Sequence, residues 1–169
     1  MTLKVTSTSD RFVVESKSPE ETLSVGRRIG EALGAGSCVA LYGELGAGKT
    51  VFARGLVRGL GVAEEAAVTS PSFVIVSEYK GRLGVYHVDA YRLAGSSDIV
   101  DLGSRELFFG DEVSIVEWAE RIEAALPEER IDVALSVEGE TRRRIEMRAR
   151  GEGAARVLGE LKKALGVDV

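Results

Sequence analysis

In 169 residues the chain carries one cysteine, one histidine, one tryptophan and three prolines, and these scarcities narrow its chemistry. The lone Cys38 rules out an intrachain disulfide, and its place in an apolar run predicts a buried small hydrophobe. With a single cysteine far from it in sequence, His87 makes a poor zinc ligand and is expected to be a structural hydrogen-bonding residue. No stretch approaches the roughly 18 apolar residues of a membrane span. The start, Met1-Thr2-Leu3-Lys4-Val5, has no secretory h-region, so the expected location is cytoplasmic. A basic excess is missing too: 22 Lys and Arg face 27 Asp and Glu, for a net charge of −5 and a pI of about 5.1. That balance argues against a whole-domain electrostatic grip on nucleic acid, so any RNA role runs through a partner. With 44% hydrophobic and 29% charged residues, no repeat and no linker, 1–169 is expected to be one globular domain.

Glycine, by contrast, is plentiful, with 20 residues. Gly43-Glu44-Leu45-Gly46-Ala47-Gly48-Lys49-Thr50 is a P-loop pattern. Its glycines let backbone N–H groups turn inward around phosphate oxygens, where a Cβ would block both the dihedrals and the approach. Lys49 is placed to reach the β- and γ-phosphates, and the Thr50 hydroxyl to ligate Mg²⁺. Ser37 to Leu41 predicts a short buried strand before the loop, and Lys49 to Leu60 a helix after it, with Phe52, Leu56 and Leu60 stacked on one side. The helix start adds unpaired N–H groups and a positive dipole end.

Elsewhere, Arg11 to Ser16 predicts an edge strand. Ser18-Pro19-Glu20-Glu21 predicts a capped helix start with Glu21 closing a capping box, followed by an apolar stripe of Leu23, Ile29 and Leu33. Ser72 to Glu78 and Leu83 to Asp89 predict a hairpin, which makes the sheet mixed. Asp98 to Phe109 is expected as one helix, Val113 to Glu117 as a strand, and Trp118 to Leu126 as a helix stopped by Pro127. Alternation from Ile131 to Val137 and from Arg142 to Arg150 predicts a second hairpin. Its return strand carries Arg142, Arg144, Glu146, Arg148 and Arg150 on one face, expected as a solvated edge or else a docking surface for an acidic partner or tRNA phosphate. Ala155, Leu158, Leu161 and Leu165 mark a final amphipathic helix. The expected fold is an α/β P-loop NTPase, a mixed sheet with a parallel core and antiparallel hairpins, flanked by helices.

A P-loop binds phosphate, but hydrolysis also needs a carboxylate for Mg²⁺ and a group to orient water. Two strand-terminal acids qualify: Glu117, at the end of a Walker-B-like strand, and Asp89, at the end of Val85-Tyr86-His87-Val88. Lys49, Asp89 and Glu117 are the candidate catalytic residues, with Thr50 and Glu117 the candidate metal ligands. Ser70 and Ser72, in a hydroxyl-rich segment stiffened by Pro71, occupy the place of a γ-phosphate-sensing switch, and Trp118 adjoins the metal candidate.

Taken together, the P-loop, Ser70-Pro71-Ser72-Phe73, Tyr86-His87-Val88-Asp89-Ala90-Tyr91-Arg92 and Val116-Glu117-Trp118 resemble the TsaE (YjeE-type) ATPases of bacteria in order, spacing and length. The resemblance implies an ATPase required for threonylcarbamoyl modification of adenosine 37 in tRNAs that read codons starting with A. It implies ATP or ADP with Mg²⁺ as ligands, TsaD and TsaB as partners, and contact with tRNA only through that complex. Carried over, Thr50 and Glu117 hold Mg²⁺, Asp89 positions water or the γ-phosphate, and Trp118 is a functionally sensitive residue. Nucleotide contacts fall on Glu44, Leu45, Gly46, Ala47, Gly48, Lys49, Thr50 and Val51, and adenine contacts near Glu20 to Thr22 and Gly139. Two positions depart from the family: Ser72 stands where threonine is usual and keeps the hydroxyl. Val51 stands where a second threonine is common and can contribute only through its backbone.

Two other readings share the P-loop. A small-molecule or nucleoside kinase would need an arginine-bearing lid, whereas the arginines here cluster on a predicted strand. A nucleotide-gated binding module would need no turnover at all.

Overall fold

The computed structural model describes residues 4–7, 11–69 and 74–166. Alternating segments and two short continuous buried runs supply β1 (Lys4–Ser7), β2 (Arg11–Ser16), β3 (Cys38–Tyr42), β4 (Val76–Lys80), β5 (Gly84–Asp89), β6 (Val113–Glu117), β7 (Arg130–Val137) and β8 (Arg143–Arg150), the buried runs being β3 and β6. They form one sheet in the order β1-β2-β8-β7-β3-β6-β5-β4. The central β7-β3-β6-β5 pairings are parallel, while β1-β2, β2-β8, β7-β8 and β4-β5 are antiparallel. A parallel core between antiparallel hairpins is the architecture expected from sequence.

β3 sits at the centre and is apolar throughout because both its faces are covered. Val39 and Leu41 join Ile29, Phe52, Leu56 and Ile145 in one core, and Ala40 joins Val88, Ile99, Val116 and Ile122 in the other. The first core lies under α1 (Pro19–Ala32), α2 (Lys49–Gly59) and α5 (Glu152–Ala164), the second under α3 (Ser96–Asp101) and α4 (Ser104–Phe109). α1 and α2 meet through glycines. A Cβ on Gly26 or Gly30 would strike α2 carbonyls, and one on Gly55 or Gly59 would strike α1 carbonyls. The helix that follows the P-loop is thereby held close against α1, whose start lines a cavity beside that loop.

Several expectations need correction. β2 is interior, because the short, polar β1 pairs on its outer side, with Lys4 bound to Glu15 at 3.1 Å. β8 is not an edge either, since β2 and β7 flank it. Its arginines serve acids on the exposed sheet face: Glu146 takes Arg11, Arg144 and Arg148, and Asp132 takes Arg150 and Arg130. The expected Asp98–Phe109 helix is broken in two at Gly103, whose φ of +90° leaves the right-handed helical region. Trp118–Leu126 forms two 3₁₀ turns, Ala119–Arg121 and Glu123–Ala125, because Ile122 drops its helical dihedrals (φ −132°, ψ 25°) while its side chain is buried in the core. Ser18 caps α1 as expected, accepting from the Glu21 N–H at 3.2 Å, but the Glu21 carboxylate reaches the N–H of Lys17 instead of that of Ser18. In α5 it is Ala154, not Ala155, that faces the core. Of the expected Ser72–Glu78 strand, Ser72 and Phe73 lie outside the described residues, and the strand begins at Val76.

Candidate functional site

Three parallel strands end at one edge of the sheet, and each delivers a chemical group. β3 runs into the P-loop, β5 ends in Asp89, and β6 ends in Glu117. Parallel pairing places Asp89 directly beside Glu117, and Leu41 on the other side of Glu117. Both acids are nearly covered, at 8% and 2% exposure.

In the P-loop, Gly46 and Gly48 take φ of +80° and +101°, and Gly48 is the N-cap of α2. Gly48 has no side chain with which to cap that helix, which leaves its first N–H groups open toward the cavity. Lys49 donates to the carbonyls of Gly43 and, at 2.9 Å, Glu44, and its ammonium lies 3.7 Å from the centroid of the Trp118 ring. Burial pulls its pKa below the usual lysine value, against the opposing pull of Glu117, Glu120, Asp89 and Glu44. An anionic ligand would relieve that cost.

Glu117 uses both carboxylate oxygens. Oε2 accepts from the Thr50 hydroxyl at 3.0 Å, and Oε1 lies 2.8 Å from His87 Nε2. Thr50 and Glu117 thus bring two hard oxygen donors together beside the phosphate cradle, a donor set that suits Mg²⁺ held by few protein ligands plus nucleotide and water. Among the described residues no group of three or more His, Cys, Asp or Glu side chains forms a protein-only cage. Asp89 accepts from the Tyr91 N–H at 3.0 Å, which fixes its carboxylate at the strand end.

Trp118 is the one non-glycine with positive φ (57°) among the described residues, a conformation that costs energy and is held by its surroundings. Its ring packs on Tyr91 with centroids 4.9 Å apart, and the Arg121 guanidinium lies 5.6 Å from the Tyr91 ring. An aromatic bridge therefore runs from the buried P-loop lysine to Tyr91, which is half exposed.

The cavity at this edge has a volume of about 450 Å³ and is lined by the loop at Leu45, Gly46 and Gly48 to Val51 together with Thr22, Trp118, Glu140, Thr141 and Arg143. Both segments proposed for adenine thus contribute to it, α1 through Thr22 and the β7–β8 turn through Glu140 and Thr141. Ser70 and Ser72 lie outside the described residues. Arg143 was not anticipated. Its guanidinium donates to the carbonyls of Ala47, Gly46 and Gly139, each at 3.1 Å, and so ties the P-loop to the turn. The signal for it was present: within the β8 alternation, Arg143 shares the face of Ile145 and Met147, where a charge is out of place unless it has a partner.

A larger cavity of about 610 Å³ lies at the opposite ends of the same strands, lined by Cys38, Phe108, Phe109, Arg130 and Arg156 among others. The Cys38 thiol there is pushed up to about 11 by burial, which disfavours the thiolate that a nucleophile needs.

Comparison with known proteins agrees with this geometry. The family described as "Threonylcarbamoyl adenosine biosynthesis protein TsaE" matches residues 16–145. The Treponema pallidum protein named "tRNA threonylcarbamoyladenosine biosynthesis protein TsaE" is 43% identical over 130 residues, 77% of this chain and 95% of that protein. Its namesake from Bacillus subtilis is 39% identical over 147 residues, 86% and 90% of the two chains. The crystal structure of Bacillus subtilis YdiB superposes with a TM-score of 0.79 at 33% identity, covering 95% of this chain and 97% of that one. With its P-loop, its paired strand-end acids and this extent of likeness, the chain belongs to the TsaE family.

Proposed function

We propose that this chain binds and hydrolyses ATP with Mg²⁺ in the service of threonylcarbamoyl modification of tRNA adenosine 37, as a partner of TsaD and TsaB. The observation that carries the reading is the 3.0 Å contact between Thr50 and Glu117 beside Lys49, a phosphate cradle with oxygen donors already gathered. In this mechanism the α2 N-terminus and the P-loop N–H groups bind the phosphates, and Lys49 leaves its carbonyl partners to neutralise charge on the β- and γ-oxygens. Thr50 and Glu117 hold Mg²⁺, which neutralises and orients the phosphates when bound. Asp89, fixed by the Tyr91 N–H, orients the attacking water.

Turnover by the isolated chain is slow in this reading. The arginine that lines the cavity, Arg143, is engaged by the carbonyls of Gly46, Ala47 and Gly139 and is not aimed at a transferring phosphoryl group. P-loop hydrolases without such an arginine in place are slower by about 10³–10⁵-fold. The partners TsaD and TsaB are taken from the family resemblance, and any contact with tRNA would be through them. The test is phosphate release by the purified chain with and without both partners, alongside a pull-down with and without ATP. Stimulated release and ATP-dependent capture are expected. A fast rate indifferent to both partners would sink the partnered reading.

A further inference from the structure

His87 is a polar residue on the core face of β5, the face that also carries Val85. It pairs in register with Ile115, so that His87, Asp89, Ile115 and Glu117 point to the same side of the sheet, the side covered by α2. Its side chain is fully buried, and its two ring nitrogens meet different surroundings. Nε2 lies 2.8 Å from Glu117 Oε1, while Nδ1 has no hydrogen-bond partner among the described residues. A carboxylate oxygen accepts, so the proton sits on Nε2. Placing it on Nδ1 would bury an unpaired N–H and set a lone pair against the carboxylate.

We propose that His87 is a positioning residue for Glu117: its Nε2–H holds Oε1 so that Oε2 faces the Thr50 hydroxyl, and this sets how much a divalent cation adds to nucleotide binding. The inference rests on reading Glu117 as a metal ligand. The physical reason is orientational. A glutamate carboxylate on a strand end can rotate about its terminal bond, and a second donor on the oxygen that does not face the cation removes that freedom before the cation arrives. Bare packing does not account for the arrangement, because an aliphatic side chain would fill the same volume without leaving a ring nitrogen unpartnered in the core.

Trp118 is the sole tryptophan and sits against Lys49, so its fluorescence can report nucleotide binding by the full chain. ADP is titrated with EDTA and again with Mg²⁺, in the parent chain, His87→Leu and His87→Gln. The expected result is that His87→Leu keeps the metal-free ADP affinity but loses about 10–100-fold of the Mg²⁺-dependent gain. His87→Gln, whose amide N–H₂ reaches toward the place of Nε2, recovers most of that gain. An undiminished gain in His87→Leu, an equal loss with and without Mg²⁺, or no recovery in His87→Gln would each overturn the proposal. A parent chain with no Mg²⁺-dependent gain would instead overturn the metal-ligand reading of Glu117, a separate failure. Should the variants not fold, imidazole ¹⁵N spectra of the parent decide, since there is only one histidine to assign. An Nε2–H tautomer coupled to a slowly exchanging proton is expected, and an Nδ1–H tautomer would overturn the assignment.

Discussion

The two ends of the central strands differ in a way that cavity size does not capture. The N-terminal end of β3 opens on about 610 Å³ and the C-terminal end on about 450 Å³. At the larger cavity the charge of Arg130 is already matched: it donates to Asp132 at 2.7 Å and to the Pro127 carbonyl at 2.8 Å. The thiol beside it is buried, and burial holds it in the protonated form. At the smaller one a buried ammonium rests on backbone carbonyls, two acids converge, and a helix presents uncapped N–H groups. Groups held at a cost, with partners that a ligand could replace, are the reason the proposed chemistry is assigned to this end.

The largest effect expected from breaking this asymmetry is at Lys49. Lys49→Ala removes the charge from the phosphate site and should reduce phosphate release by about 10²–10³-fold, or about 2.7–4 kcal/mol of transition-state stabilisation. Circular dichroism should show the fold retained. At the other end Phe109→Ser, an exposed position, should leave phosphate release unchanged. Equal losses at the two ends would erase the distinction.

Glu117 comes next. Glu117→Ala should raise the Mg²⁺ concentration needed for half-maximal turnover and weaken Mg²⁺-ATP far more than metal-free ADP. Glu117→Gln should restore shape but not cation affinity. Unaltered Mg²⁺ dependence would move the ligand role to Asp89, its neighbour in register.

A smaller effect is expected on stability. Gly55→Ala forces a Cβ against the Leu23 carbonyl and within 2.9 Å of Arg27 N, backbone atoms that cannot rotate away. Overpacking of this kind should cost about 1–3 kcal/mol, visible as a lower denaturation midpoint. An unchanged midpoint would mean that the α1–α2 contact can yield.

How much of this was legible depended on range. The P-loop, the strand carrying Glu117 and both hairpins follow from local pattern, because glycine dihedrals and period-two burial are written within a few residues. The place of β2 and β8 inside the sheet was hidden, since an edge and an interior strand can share one alternation and only the pairing with β1 decides. The break at Gly103 and the 3₁₀ turns after Trp118 escaped because apolar residues at helical spacing also suit two short turns. The glycine contact of α1 and α2 is written as Gly26, Gly30, Gly55 and Gly59 at spacings of four, but such spacing does not say which helix the glycines will meet. His87 and Arg143 share one lesson: each is a polar residue on an apolar face, and each has its partner at this edge, Glu117 for His87 and the P-loop carbonyls for Arg143.

The smallest expected effect belongs to the quiet end and concerns Cys38. Burial raises its thiol from 9.0 to about 11, so between those values the unfolded chain releases a proton that the folded chain keeps. The folded state then binds more protons than the unfolded one, and this group's contribution to stability falls as pH rises above 9.0. Below that pH both states are protonated and the contribution is flat. Relative to Cys38→Ala, the parent should therefore lose on the order of 1 kcal/mol by pH 10, measured by denaturant unfolding at each pH. The same burial predicts that a thiol reagent labels the folded chain only as fast as it opens, whether or not nucleotide is bound at the other edge. Rapid labelling at pH 8 in the absence of denaturant would show a reachable thiolate there, and the larger cavity would become a second candidate for chemistry.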